Sequence, residues 1–66
     1  MYWPVGDFHD ETTRLLGGHI QGFQSHAEAQ AVIDQILSQQ VKPHHVSYRV
    51  AEYPSFAKFK ATGVIL

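Results

Sequence analysis

Apolar residues recur at Ala29, Val32, Ile33, Ile36, Leu37 and Val41. That i, i+3, i+4, i+7, i+8, i+12 spacing lines them up along one side of an α-helix of about four turns. Glu28, Gln30, Asp34, Gln35, Ser38 and Gln39 take the other side. Ser25 and Glu28 make the S-x-x-E signature of a helix start, in which the serine hydroxyl covers an amide that the first turn leaves without a partner. Pro43 stops the helix, because a proline pushes the residue before it out of the helical region. The spacing predicts a helix over residues 26–40.

Beyond Pro43 the period falls to two. Val46, Tyr48 and Val50 alternate with Ser47, Arg49 and Ala51, the pattern of a half-buried strand whose first set faces the helix. Pro54 and Ser55 end it. Ala57, Phe59 and Ala61 then alternate with Lys58 and Lys60, which predicts a second strand-like stretch before Gly63. Ahead of the helix, Tyr2 to Phe8 is aromatic and β-branched enough for a strand, and Pro4 places it near an edge or a strand start. Residues 9–13 read as a polar turn and Arg14 to Phe23 as the returning strand, with Gly17-Gly18 as a bulge inside it. A rival reading makes Gly17-Gly18 the turn of a tight hairpin pairing Thr12–Leu16 with His19–Phe23. The first is preferred because it gives Trp3, Val5 and Phe8 a place in the sheet.

One amphipathic helix needs one apolar sheet face, so these elements predict a small two-layer α+β sandwich, ββαβ or ββαββ and mainly antiparallel, with the first strand central in the order 2-1-3. Sixty-six residues allow a single domain, residues 1–66. A chain of this size buries only about 60% of its unfolded surface, and an enclosed substrate pocket of about 300 Å³ or more is hard to accommodate in it. No small-molecule substrate is therefore expected. The absence of cysteine removes disulfides, thiolate zinc sites and cysteine nucleophiles. Since no apolar run exceeds three residues, neither a membrane span nor a signal-peptide core is expected, which suggests a cytoplasmic domain.

Candidate chemistry is sparse. Five histidines (His9, His19, His26, His44 and His45) raise the question of a metal, because imidazole suits zinc, copper and nickel. Their spacing offers no H-x3-H on the helix and no H-x-H on a strand, so no metal and no cofactor is expected. Neither G-x-S-x-G nor H-E-x-x-H nor a phosphate-cradling loop is present. The expected protein is not an enzyme.

Charge is more informative. Residues 1–40 carry five acids against one base, whereas residues 41–66 carry four bases (Lys42, Arg49, Lys58, Lys60) against one acid. If Val46, Tyr48 and Val50 face the helix, Arg49 and Tyr53 point outward, joined by Lys58 and Lys60 on the next strand. These four are the candidate binding residues. The leading expectation is a protein-binding or self-associating module, acting through a sheet edge or through this basic face. A nucleic-acid-binding module using the same face is the alternative, since cations beside an exposed aromatic suit single strands. Trp3, Phe8, Phe23, Tyr48 and Phe59 suffice for a small core, so Tyr2, Tyr53, Phe56 and the apolar end Val64-Ile65-Leu66 are a surplus available to a partner. The layout is similar to that of some small phage-encoded inhibitors of host enzymes, a likeness of architecture that no motif carries.

Overall fold

The computed structural model describes residues 1–39 and 46–66. Strand β1 (Tyr2–Phe8) is followed by β2 (Thr13–Leu15), helix α1 (His26–Gln39), strand β3 (Val46–Glu52) and a short helix α2 (Phe56–Lys60). The sheet has the order β2-β1-β3, and both neighbours run antiparallel to β1. The small α+β sandwich and the central first strand expected from the pattern are both present.

Pairing sets which residues share a face, since residues opposite one another in adjacent strands project to the same side. Trp3 pairs with Ala51, and Val5 with Arg49 and Leu15. Pro4 pairs with Val50, Gly6 with Tyr48, and Phe8 with Val46. The Pro4 side receives α1, which lies across β1 and β3. Ser25 Oγ accepts the Glu28 N–H at 3.2 Å to open that helix, and Ala29 and Ile33 are buried beneath it. Val46, Tyr48 and Val50 therefore face α1, as their alternation implied. Val32 and Ile36 are half-buried, whereas Leu37 is 41% exposed. That corrects the expectation of a fully buried stripe: a three-stranded sheet is too narrow to cover the whole apolar arc. Val41 and Pro43 lie outside the described residues.

The Trp3 side holds the main core, in which Trp3, Val5, Ala51, Phe59 and Val64 are buried with Leu15, Tyr53 and Phe56 packed against them. Here the strand expected over residues 57–61 is corrected to helix α2. Ser55 caps it by accepting the Lys58 N–H at 3.2 Å, and Phe56 and Phe59 meet at the i, i+3 spacing of one helical face. Ala57 and Ala61 are consequently exposed. The Phe59 ring stacks on the Trp3 indole, with centroids 4.5 Å apart and planes 11° from parallel.

The returning strand is shorter than expected. β2 ends at Leu15, the chain leaves the sheet at Leu16, and Phe23 comes back to exchange two backbone bonds with Tyr2 at 2.9 and 2.7 Å. Residues 16–22 are thus an enlarged bulge between two pairings with the same strand, closer to the preferred reading than to the hairpin. Pro4, expected near an edge or a strand start, is the third residue of the central strand. Tyr2, Gly6 and Phe8 turn their backbone groups toward the β2 side, and by alternation so does Pro4. Its nitrogen, with no hydrogen to donate, therefore faces the bulge, while its carbonyl accepts the Leu16 N–H at 3.0 Å. The C-terminal segment closes the outer side of β2, as Leu15 N–H donates to the Ile65 carbonyl and Ile65 N–H to the Thr13 carbonyl, each at 2.8 Å.

Trp3 also fixes the bulge. Its Nε1–H donates to the Ile20 carbonyl at 3.1 Å, and its ring lies beneath Gly22. A Cβ added to Gly22 would stand 2.7 Å from Trp3 Cε2, at a backbone φ of +73°. Gly18 has a similar φ of +69° but nothing within 4 Å of an added Cβ. Gly18→Ala should therefore cost about 1 kcal/mol, the price of the left-handed conformation alone. Gly22→Ala should cost at least about 2 kcal/mol, because the indole must also move. Thermal melts of the two variants compare them directly, and equal destabilisation would refute the packing of Trp3 under Gly22.

Candidate functional site

All four residues expected on the basic face lie on the α2 side of the molecule, but they are not equivalent there. Arg49 shares the Trp3 face through its pairing with Val5. Its guanidinium clamps Asp7, with Nε 2.6 Å from Oδ2 and Nη2 3.2 Å from Oδ1. Asp7 also accepts the Thr13 hydroxyl at 2.7 Å. One carboxylate thus ties β3, β1 and β2 together, meeting Thr13 directly opposite and Arg49 on the diagonal. Tyr53 is half-buried, its ring 5.6 Å from that of Phe59. Lys58 and Lys60 are exposed on α2. The face expected to be open sheet is covered by α2 and Val64, so Lys58 and Lys60 are exposed on α2, Arg49 is exposed but paired with Asp7, and Tyr53 is half-buried.

The hydrogen bonds from Arg49 and then Thr13 hold the Asp7 carboxyl below the ordinary carboxylate range, against a smaller opposing effect of burial. The same pairing with Asp7 raises the Arg49 guanidinium. Asp10 is lowered by the hydroxyl and amide of Thr12, and it pairs with Arg14 at 3.5 Å, whose guanidinium lies 4.8 Å from the Phe8 ring centroid. Of the two pairs, Asp7–Arg49 joins the acidic first half of the chain to the basic second half and so softens the charge asymmetry visible in the sequence. On the α1 side Tyr2 is raised chiefly by its hydrogen bond with Glu52, its neighbour across the strands.

Among the described residues no three His, Asp or Glu side chains gather as a metal ion would require; His44 and His45 lie outside them. A hollow of about 330 Å³ is lined by a single stretch of chain, Gly18 to Phe23. None of the described helices is long and apolar enough to cross a membrane.

The second feature is the outer edge of β3. Met1 and Tyr53 exchange backbone hydrogen bonds at 3.1 and 2.9 Å, so by the alternation of an antiparallel ladder Ala51, Arg49 and Ser47 also turn their backbone groups toward β1. The N–H and C=O groups of Val50 and Glu52 point the other way. β3 is the last strand on that side, with no further strand among the described residues beyond it. Over its seven residues it contains no proline and no lysine, two of the residues by which natural sheets blunt an edge, and its charges are Arg49 and Glu52. The edge was foreseen only in general terms, and Asp7 was missed altogether. Its signal was a carboxylate in the phase of Trp3 and Val5, which calls for a cation on the neighbouring strand.

Comparison of the chain with protein-family models, with curated proteins and with solved structures found no match.

The Asp7 clamp carries a pH dependence. A carboxyl lowered on folding stabilises the fold at pH values above its unfolded pKa, about 4, and that stabilisation is lost as pH falls through the lower folded value. Because the pair is solvent-screened, its worth is no more than about 1 kcal/mol. Urea denaturation from pH 7 down to about pH 3 should show the wild type losing stability on the acid side, with Asp7→Asn less stable at neutral pH and flatter toward acid. An unchanged acid limb in Asp7→Asn would show that the clamp does not bear on folding.

Proposed function

We propose that this domain is a non-catalytic, cytoplasmic protein-binding module that takes an extended segment of its partner onto the outer edge of β3. The observation that carries this reading is the contrast between the two sides of the sheet. β2 is three residues long and closed by Ile65, whereas β3 offers seven regular residues and two outward pairs of backbone groups at Val50 and Glu52. Main-chain pairing along such an edge supplies affinity, and the alternating side chains supply selectivity. Lys58 and Lys60 support a second contribution, steering an acidic partner toward the α2 side before it docks.

Val50→Pro removes the outward N–H without touching a bond to β1, since proline is tolerated where the strand edge faces outward. Partner capture by immobilised protein should fall at least about tenfold with Val50→Pro, and Lys58→Glu with Lys60→Glu should act mainly on the association rate. The reading is overturned if Val50→Pro, shown to be folded by its circular dichroism, binds like the wild type. If binding instead collapses on lysine reversal and falls steeply with salt, the basic α2 side acting on nucleic acid takes its place.

A further inference from the structure

Asp10, Arg14 and Phe8 show how this chain holds a guanidinium. Arg14 Nη2 lies 3.5 Å from the Asp10 carboxylate, and the guanidinium carbon stands 4.8 Å from the Phe8 ring centroid. The carboxylate supplies charge, and the aromatic face adds a second attraction to the same planar cation. The same two kinds of group recur at the other end of β1. Phe23, Tyr2 and Glu52 oppose one another across the strands and so project together to the α1 side. The Tyr2 hydroxyl donates to the Glu52 carboxylate. His26, the first residue of α1, stands with its ring 6.1 Å from that of Tyr2 and at 74° to it. Two near-perpendicular rings thus form a corner beside an exposed carboxylate.

What differs is the cation. Among the described residues no arginine or lysine pairs with Glu52. Arg14 and Arg49 are committed to Asp10 and Asp7, and Lys58 and Lys60 lie on α2, across the sheet. The Met1 ammonium donates to the Tyr53 carbonyl, and Lys42 lies outside the described residues. Glu28 in the first turn of α1 offsets the partial positive charge that a helix start would otherwise present here.

We propose that Glu52, Tyr2 and His26 form a receptor for an arginine side chain carried by a partner protein. Glu52 takes the guanidinium N–H groups, while the Tyr2 and His26 rings flank its plane and its methylene stem. Arginine suits this corner better than lysine, because its flat, weakly hydrated head meets a ring and a carboxylate together. A nucleic acid does not fit, since Glu52 repels its phosphates. The inference goes beyond the reading of β3 as a binding edge and stands without it, because it uses side chains on the α1 face and no outward backbone group.

The probe is the peptide acetyl-Gly-Arg-Gly-amide, and its citrulline counterpart, alike in shape but uncharged, is the control. Titration followed by NMR should shift the Tyr2 and His26 ring protons and the Glu52 side chain saturably, with the citrulline peptide leaving them in place. Glu52→Gln, a change at an exposed side chain that leaves the fold intact, should weaken the arginine peptide about threefold. Tyr2→Leu, checked for folding by circular dichroism, should weaken it by a similar factor through loss of the ring. Tyr2→Phe keeps the ring and releases the carboxylate from the hydroxyl, so it should bind at least as well as the wild type. The receptor is overturned if Glu52→Gln binds like the wild type, or if the two peptides bind equally. Shifts that gather at other carboxylates, or that never saturate, overturn it as well. A lysine peptide binding as tightly as the arginine one overturns the assignment to a guanidinium.

Discussion

The stacking of Trp3 on Phe59 is the contact on which the rest of the molecule depends. A fully buried indole needs an apolar cover and a partner for its N–H. Phe59 supplies the first at a centroid distance of 4.5 Å, and the Ile20 carbonyl supplies the second at 3.1 Å. Those two demands reach forward and back along the chain from the central strand. One draws the segment after β3 into a helix laid over the sheet. The other draws residues 16–22 out of the sheet and over the edge of the ring. Without the indole, neither α2 nor the bulge has a surface to close on, and a chain of 66 residues has little other core to spare.

With Trp3 covered, each side of the sheet is assigned. α1 protects the Pro4 face and α2 with Val64 protects the Trp3 face, and among the described residues Val50 and Glu52 turn their backbone groups outward with no strand beyond them. Charge follows the same division. The Arg49–Asp7 clamp commits a cation and an anion to joining three strands, and Thr13 completes it. What remains exposed on α2 is a pair of lysines, while Glu28 and Asp34 are exposed on α1. The asymmetry of the sequence thus survives as a weaker asymmetry between the two helical faces.

Helix α1 was legible because its signals are local: a serine cap, a glutamate three residues on, and an apolar stripe at helical spacing. β1 and β3 were legible because seven residues of alternation distinguish a period of two from one of 3.6. Residues 56–60 were not. Over so short a stretch Lys58 and Lys60 flanking Phe59 fit a strand, while Phe56 and Phe59 fit a helix turn, and both patterns are present in the same five residues. What decides between them is Trp3, more than fifty positions away, together with the Ser55 cap. The same is true of the candidate site. Arg49 was expected to point away from α1 and does, but its commitment to Asp7 depends on strand register, which no local pattern encodes.

The open edge poses its own physical question, because an unguarded strand in a small domain invites indiscriminate pairing. Several features restrain β3. Arg49 and Glu52 put charges on the strand, and charged side chains on an edge discourage indiscriminate pairing. α1 covers one face of the sheet and α2 the other, so an incoming strand meets a helical layer on each side. An edge so flanked is selective by exclusion as much as by attraction. On the proposed reading, the partner segment is one whose side chains alternate in size and polarity to match the two helical layers.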